Sequence, residues 1–298
     1  MPLFPLILVS ISTFMHAGWN LLARRKQGQD IFLPVLALVT LVGVGPALLA
    51  EVVRSPILPV VGVYLLWTGV FQSLYFLGLL RGYQSGHFTV VYPVARSLPV
   101  LVLALVDVAQ GRPPSLWGWL GMVLISAGCL LAPLESWRDF SWRRYWNVTT
   151  WWILVTAVGM IGYTLIDRAA AQVMNPGSDT AVGGFGLAVR YALFQAATSF
   201  CAYWLLLRWQ RHRPAPVTRR DLWTVIIPAA ICMFGAYTLV LWAYQLAAHV
   251  SYIVALRQFS IVIGVAAAAV FFHEPAPRWR ISMSLVIVAG VVLISVGG

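Results

Sequence analysis

The chain has 298 residues, of which 60% are hydrophobic and only 10% are charged. Ordinary globular domains carry about 25% charged residues, so this composition excludes a soluble globular fold and indicates a polytopic membrane protein. The net charge of +11 is more typical, in such a protein, of basic loops that set orientation than of nucleic-acid binding. We therefore expect the lipid bilayer as a partner and no nucleic acid.

A spanning helix needs about 20 largely apolar residues, and ten stretches of the sequence meet that length. The predicted spans are residues 3–23, 30–51, 57–80, 86–108, 115–134, 148–168, 184–207, 221–244, 249–272 and 279–297. The connections between them are short, so no soluble domain is predicted. The N-terminal run has no basic segment before it, and we interpret it as the first span and not as a signal peptide.

The sequence repeats itself after five spans. GWNLLAR in span one matches GYTLIDR in span six, and GYQ…R in span four matches AYQ…R in span nine. Spans five and ten also match, with Gly128 falling on Gly290, although common features of membrane helices would explain that match alone. Because five is odd, the second half enters the membrane inverted. We predict an all-α fold, ten transmembrane helices as an inverted repeat of two five-helix units, residues 1–140 and 141–298.

The basic residues predict an orientation. The loops after the odd-numbered spans carry fourteen of the twenty Lys and Arg residues, whereas the opposite side carries only Arg54, Arg112 and Arg168. The positive-inside rule then places the first side in the cytoplasm and both termini outside. The remaining three arginines lie within spans: Arg96, Arg190 and Arg257.

Arg96 and Arg257 are the principal site candidates. Each lies about eight to ten residues into its span, near the middle of a hydrocarbon core roughly 30 Å thick. A guanidinium there is costly unless it faces a partner or a wet cavity, and it suits bidentate binding of a carboxylate, phosphate or phosphonate. The alternative is that each binds backbone carbonyls, which Pro93 and Pro99 would free around Arg96.

The acidic residues do not provide partners for these arginines in this prediction. Those nearest the spans all fall at span ends, namely Glu51, Asp107, Asp167 and Glu274. We therefore expect an electropositive cavity, no deep carboxylate and no proton coupling through one. His16 would titrate near neutral pH, and the alternative to coupling through it is facilitated diffusion or exchange.

Polar and aromatic side chains at helical spacing complete the predicted site. His16, Trp19 and Asn20 are related by i, i+3 and i+4, so they share one helix face. These groups would equally bridge helices, and Arg190 would also snorkel to the interface. The predicted substrate-binding residues are Arg96, Arg257, His16, Trp19, Asn20, Tyr92, Gln72, Tyr75, Tyr163, Arg190, Tyr237 and Gln258.

Neither cofactor nor metal binding is predicted. The three cysteines have no CxxC spacing, and the five histidines are scattered over different spans and loops, which argues against an intramembrane enzyme. A row of small residues, Gly118, Gly121 and Gly128, predicts close helix packing or a dimer surface.

The sequence resembles the EamA family of the drug/metabolite transporter superfamily over nearly its whole length. The similar segments are HAGWNLLARR, YPVARSLPVLVLAL, FFHEPAP and VIVAGVVLI, and HAGWN and YPVAR are most similar to a subgroup associated with phosphonate-utilisation genes. Two features differ from the family pattern. DVAQGRPP stands where a glutamate-containing turn is usual, and ten-helix members generally have cytoplasmic termini, opposite to the charge distribution here.

The resemblance and the repeat together predict a secondary transporter in the cell (inner) membrane. We expect it to move a small polar, anionic or zwitterionic metabolite by alternating access, as a monomer or homodimer, without enzymatic activity. No Walker motif is present in the sequence, which argues against ATP hydrolysis. Translocation of a lipid-linked carrier by the same fold is the alternative, and it would need a lateral opening.

Overall fold

The computed structural model describes residues 2–26, 29–85, 88–132, 148–174, 181–212, 214–271 and 278–298. Within these ranges every regular element is a helix and no strand occurs. The predicted all-α class is therefore confirmed. The predicted boundary between the two repeats, at residues 140 and 141, lies outside the described residues.

The helices follow the predicted apolar runs closely. They are α1 Leu3–Arg25, α2 Phe32–Val53, α3 Leu58–Ser85, α4 Phe88–Ala109, α5 Leu116–Leu131, α6 Val148–Met174, α7 Ala181–Trp209, α8 Ile227–Leu246, α9 Val250–Leu256, α10 Phe259–Phe271 and α11 Arg278–Gly297. One helical turn, Arg219–Asp221, and a π-helical turn, Leu222–Ile226, lead into α8.

The outer surface of the bundle is apolar. Seven helical stretches are long and apolar enough to cross a membrane, and large side chains such as Leu41, Val52 and Val296 are more than 80% exposed. Burying one such side chain away from water is worth about 1.5–3 kcal/mol, so a surface covered with them is suited to lipid. The chain is an all-helical membrane protein.

Acidic side chains cap the starts of several helices. Asp30 accepts from backbone N–H groups at the start of α2, Glu51 does so at the start of α3, and Asp107 accepts from the first turn of α9. Carboxylates are favourable there because the first N–H groups of a helix have no partner within it. The prediction that Glu51 and Asp107 lie at span ends agrees with this placement.

Helices α5 and α11 approach each other through glycines. A Cβ added to Gly121 would lie 2.6 Å from the carbonyl oxygen of Gly290, and one added to Gly290 would lie 2.6 Å from that of Gly121. Gly128 lies as closely against Ile287. The predicted small-residue row thus serves, at Gly121 and Gly128, for packing between two helices of this chain.

The predicted ninth span is interrupted. Helix α9 ends at Leu256 and α10 begins at Phe259, so Arg257 and Gln258 form a turn between them. The backbone hydrogen bonds shift there from i−4 to i−3 partners, as in Gln258 N–H to the Ala255 carbonyl at 3.0 Å. By contrast, α4 stays helical across both of its prolines. The break lies at the second arginine, although prolines flank only the first.

The sixth helix is longer than predicted. It continues to Met174, six residues past the predicted end of the span, so Asp167 and Arg168 lie within the helix and not at its end. Both are buried, and Arg168 donates to the carbonyls of Tyr244 and Ala248. Two expectations are therefore corrected: Arg168 is not a loop residue, and a deep carboxylate does exist.

Candidate functional site: a polar cavity between the helices

A cavity of about 70 Å³ lies among six helices and the α9–α10 turn. It has room for roughly five water molecules or a metabolite of similar size. Its wall combines side chains of α1, α2, α3, α6, α7 and α8 with Arg257. Seven of the predicted site residues line it: His16, Trp19, Gln72, Tyr75, Tyr163, Tyr237 and Arg257.

His16 is the meeting point of the two arginines. Its Nδ1 faces Trp19 Nε1 and Arg257 Nη2, each at 3.0 Å, and its Nε2 contacts Arg96 Nη1. All three of these partners are hydrogen-bond donors, whereas a neutral imidazole has only one acceptor nitrogen. Donors are therefore in excess around this ring.

Arg96 lies behind His16 and does not belong to the described lining of the cavity. Its Nε donates to Gln258 Oε1 at 2.7 Å, and Gln258 Nε2 donates back to the Arg96 carbonyl at 3.2 Å. Gln258 also donates to the Val254 carbonyl at 3.1 Å. This reciprocal pair ties α4 to the α9–α10 turn, next to the site.

Arg257 lines the cavity itself. It is 3% exposed, and its guanidinium carbon lies 5.9 Å from the centre of the Tyr237 ring, a cation–π contact. Its Nε has no hydrogen-bond partner among the described residues. No described carboxylate lies within salt-bridge distance of it; the ion pairs formed within the described part of the chain are those of Lys26 with Asp221 and of Arg190 with Glu51.

Three predicted site residues lie elsewhere or outside the description. Asn20 is buried and donates to the His16 carbonyl of its own helix at 2.6 Å. It is not part of the described cavity lining. Arg190 donates to the Ser55 carbonyl at 2.8 Å and pairs with Glu51 at 3.4 Å, away from the lining. The Tyr92 side chain lies outside the described part of the structure.

The deep carboxylate is Asp167, which is completely buried. Tyr191 donates to its Oδ1 at 2.7 Å, Gln195 Nε2 donates to its Oδ2 at 2.7 Å, and Tyr237 donates to Oδ2 as well. Tyr237 therefore has Arg257 over its ring and Asp167 at its hydroxyl. The expectation of a purely electropositive site without a nearby acid is wrong, because the carboxylate lies inside α6 and not at its end.

Gln195 is the polar lining residue that the sequence argument missed. It follows Tyr191 by four positions and precedes Ser199 by four, so the three share a face of α7. Ser199 in turn donates to Gln72 Oε1 at 3.0 Å. The periodicity that identified the face of His16 in the first span was present here too and would have identified this face.

Aromatic rings form the rest of the wall. Tyr163 packs edge-on against Tyr75 and against Tyr237, with ring centres 5.5 and 5.7 Å apart, and Tyr75 contacts Phe76 at 5.4 Å. Edge-to-face pairs of this kind hold rings in fixed orientations. The polar groups therefore project from a stiff wall.

A second, more open depression of about 520 Å³ lies where the end of α3, the start of α6 and the end of α7 meet. Arg81, Trp152 and Gln210 line it, and Arg81 Nη2 donates to Gln210 Oε1 at 2.9 Å. Its charge is basic, like that of the loops on this side.

The fold and the site define a helical membrane protein with a polar cavity among its helices. No family model and no curated protein matches the sequence. A solved structure described only as "Crystal structure of protein" superposes with a TM-score of 0.66 at 12% sequence identity, covering 97% of this chain and 95% of that chain. Identity this low shows a shared fold alone, so the resemblance to the EamA family stays a prediction.

Proposed function

We propose that this protein is a secondary transporter of the EamA type, located in the cell (inner) membrane, which carries a small anionic or zwitterionic metabolite through the cavity at His16 and Arg257. The observation that carries the proposal is the excess of donors around His16. Arg96, Arg257 and Trp19 all direct N–H groups at a ring with one acceptor nitrogen. Of these donors, Arg257 and Trp19 line the cavity, and the Arg257 Nε has no partner among the described residues. A bound carboxylate, phosphate or phosphonate supplies acceptor oxygens to them.

Alternating access needs two halves that rock about a shared site, and an inverted repeat of ten spans would supply them. Helix contacts support the repeat. The alignment of Gly128 with Gly290 shifts the sequence by 162 positions and takes Ile125 to Ile287. A Cβ on Gly128 would meet Ile287 at 2.6 Å, and a Cβ on Gly290 would meet Ile125 at 2.7 Å. The repeat therefore exchanges the two contacts.

The direction of these helices supports inversion. Along α5, from Gly121 to Gly128, the contacted positions on α11 run backwards from Gly290 to Ile287, so the two helices are antiparallel. A two-fold axis that exchanges antiparallel helices runs across them, in the plane of the membrane. Inverted repeats have their axis in this direction.

A second pair of contacts agrees with the same repeat. Gly18 in α1 faces the sulfur of Cys232 in α8, and Gly162 in α6 faces the ring of Phe71 in α3. GWNLLAR and GYTLIDR align Gly18 with Gly162, and the shift of 161 that aligns the two Tyr-Gln pairs takes Phe71 to Cys232. The contact of α1 with α8 thus corresponds to that of α6 with α3.

The buried carboxylate changes the question of energy coupling. Proton coupling through a deep acid was not expected, but Asp167 lies one side chain away from Arg257, through Tyr237. A carboxylate at such a place is the type of group that transporters use in proton relays. Uptake driven by a proton gradient is therefore to be measured together with exchange and facilitated diffusion.

A ligand screen tests the proposed function. Purified protein is heated with carboxylates, phosphates, phosphonates and amino acids, and with uncharged sugars as the negative set. We expect acids small enough for the cavity to raise the melting temperature, and the best of them to be taken up by proteoliposomes that contain the protein. Arg257→Gln should abolish both effects, whereas Arg54→Gln, which removes an exposed cation at the end of α2, should abolish neither.

Two results would contradict the proposal. One is a screen in which acids stabilise the protein no better than the sugars do. The other is a Arg257→Gln variant that still takes up the best ligand at the wild-type rate. Uptake of a lipid-linked sugar by vesicles, with no effect of small acids, would favour the carrier alternative.

A further inference from the structure

The polar groups of the cavity divide into an acceptor end and a donor end, and this division narrows the substrate class of the proposed transporter. The acceptor end begins with Gln195. Its amide nitrogen has two hydrogens, of which one goes to Thr68 Oγ1 at 2.9 Å and the other to Asp167 Oδ2 at 2.7 Å. Only Oε1 remains, which bonds no described residue although Gln195 is 2% exposed and lines the cavity.

Tyr237 is committed in the same way. Its single hydroxyl hydrogen goes to Asp167, so the hydroxyl oxygen offers the cavity only lone pairs. Tyr191 gives its hydrogen to the other carboxylate oxygen. Asp167 thus accepts hydrogen bonds from Tyr191, Gln195 and Tyr237. Because their hydrogens are used in this way, Gln195 and Tyr237 present acceptor oxygens to the cavity.

Asp167 has no cation in direct contact among the described residues, and the Tyr237 side chain separates it from Arg257. No described Lys or Arg lies within salt-bridge distance of Asp167, and its side chain is completely buried. A buried charge is costly unless it is compensated. A cation bound against Gln195 and Tyr237 would compensate it, one side chain away.

The donor end consists of Arg257 and Gln72. Arg257 lies over the ring of Tyr237. Gln72 Oε1 already accepts from Ser199 at 3.0 Å, so the amide nitrogen of Gln72 is the group available to a ligand. Both Arg257 and Gln72 line the cavity. The Gln72–Ser199 pair lies one helical turn along α3 and α7 from the Thr68–Gln195 pair, so the donors and the acceptors face one cavity from neighbouring positions.

We infer that the substrate is a zwitterion whose protonated amine is bound by Gln195 Oε1 and the Tyr237 oxygen, with Asp167 as countercharge, while its acid group is bound by Arg257 and Gln72. This inference rests on the proposed transport function and assigns the second pole of the same cavity. An ammonium has three donors and no acceptor, which matches the acceptor end alone.

Matched probes that differ only in the amine test the inference. Binding to the purified protein is measured by calorimetry for β-alanine against propionate, and for 2-aminoethylphosphonate against ethylphosphonate. The wild-type protein should bind each amine-containing acid about tenfold or more tightly than its amine-free partner, as for a hydrogen bond to a charged group. Ethylamine, which has no acid, should bind more weakly than either zwitterion.

Variants locate the preference. Asp167→Asn keeps the shape of the side chain but removes its charge. Tyr237→Phe removes the hydroxyl oxygen that faces the cavity. If Asp167→Asn does not fold, Tyr237→Phe still measures the preference for the amine. Each should abolish the preference for the amine and leave the affinity for propionate and ethylphosphonate within about twofold. Cys201→Ser, an exposed change on the same helix as Gln195, should leave the preference intact.

The outcomes separate this inference from the proposal beneath it. If the amine-free acids bind as tightly as the zwitterions and lose binding in Arg257→Gln, the anion site stands and the ammonium pole is wrong. If both variants weaken each member of a pair equally, Asp167 is structural and the inference is again wrong. If no acid of either kind binds, both proposals fail.

Discussion

Arg96 and Arg257 occupy equivalent positions in the two halves of the sequence, yet their surroundings differ. Arg96 lies in a continuous helix and is held by Gln258 in a two-way hydrogen-bonded pair. Arg257 lies in a helix break, lines the cavity and makes one side-chain hydrogen bond among the described residues, to His16. The same residue of a repeat can therefore hold two helices together in one half and line the cavity in the other.

The difference comes from the backbone. In an unbroken helix, a long side chain lies against the surface of its own helix and contacts the neighbouring helix. At the α9–α10 turn the chain direction changes, and the guanidinium of Arg257 reaches the space between helices instead. Gln258, the next residue in that turn, is the one that holds Arg96, so the break in one half positions the arginine of both.

The largest effect expected is on stability, from Arg96→Met. The change leaves Gln258 Oε1 without its Arg96 Nε partner, while Gln258 Nε2 keeps the backbone carbonyl of residue 96. A buried polar group that loses a charged partner costs up to about 3 kcal/mol. We expect the free energy of unfolding, measured by titration with denaturing detergent, to fall by about that amount.

The double variant Arg96→Met with Gln258→Met provides the control. It removes both members of the pair, so it should recover part of the loss, as replacement of both partners by apolar groups commonly does. If the double variant loses as much free energy of unfolding as the two single variants together, the pair is not coupled. The structural role of Arg96 as the partner of Gln258 would then be wrong.

The next effect is on binding, from Arg257. With Gln in its place we expect the affinity for a small acid to fall about 100-fold, equivalent to about 2.7 kcal/mol. Lys keeps the charge but not the planar pair of donors, so Arg257→Lys should retain an intermediate affinity. Unfolding measured as for Arg96 should change by less than about 1 kcal/mol. Loss of stability with unchanged affinity would reverse the roles of the two arginines.

The sequence predicts both arginines as site residues on the same grounds of spacing and depth, and of the two only Arg257 is part of the described cavity lining. Nothing in the residues around Arg257 predicts the helix break, because no glycine or proline lies within four positions of it, whereas the prolines around Arg96 suggested a break that does not form. Packing between helices decides such points, and a single span does not contain that information.

The buried acid shows a second limit of the same kind. Asp167 was placed at a span end because hydropathy falls at Asp167 and Arg168, but α6 continues for seven residues beyond Asp167. The donors that allow the carboxylate to be buried come from α7 and α8, through Tyr191, Gln195 and Tyr237. Compensation by other helices is visible only after folding, whereas the apolar runs that predicted the helices are local.

The third effect tests where the two halves agree. Gly128→Ala and Gly290→Ala each place a methyl group within 2.7 Å of the facing helix, and overpacking of this kind costs about 1–3 kcal/mol. We expect about 2 kcal/mol from unfolding measurements, with the larger loss for Gly290, because its methyl group would meet a backbone carbonyl, which cannot rotate away.

Gly264→Ala is the matched control, since a Cβ there would meet nothing within 4 Å. It should cost nothing, because alanine is the better helix former. If Gly264→Ala destabilised as much as Gly290→Ala, the loss would reflect the glycine-to-alanine change in general. The reciprocal packing of α5 and α11 would then carry no special weight.

The smallest effect is expected far from both arginines, at Asp30 before α2. Burial raises the pKa of Asp30, against the lowering effect of hydrogen bonds from the Leu33 and Phe32 N–H groups. Between the ordinary and the raised pKa the folded protein keeps a proton that the unfolded chain releases, so the free energy of unfolding falls as pH rises through that window.

Asp30→Asn has no proton to lose and remains a good cap. It should flatten the pH dependence in the window that begins at the ordinary Asp pKa of about 4 and change stability by less than about 1 kcal/mol. An unaltered slope would assign that pH dependence to another group.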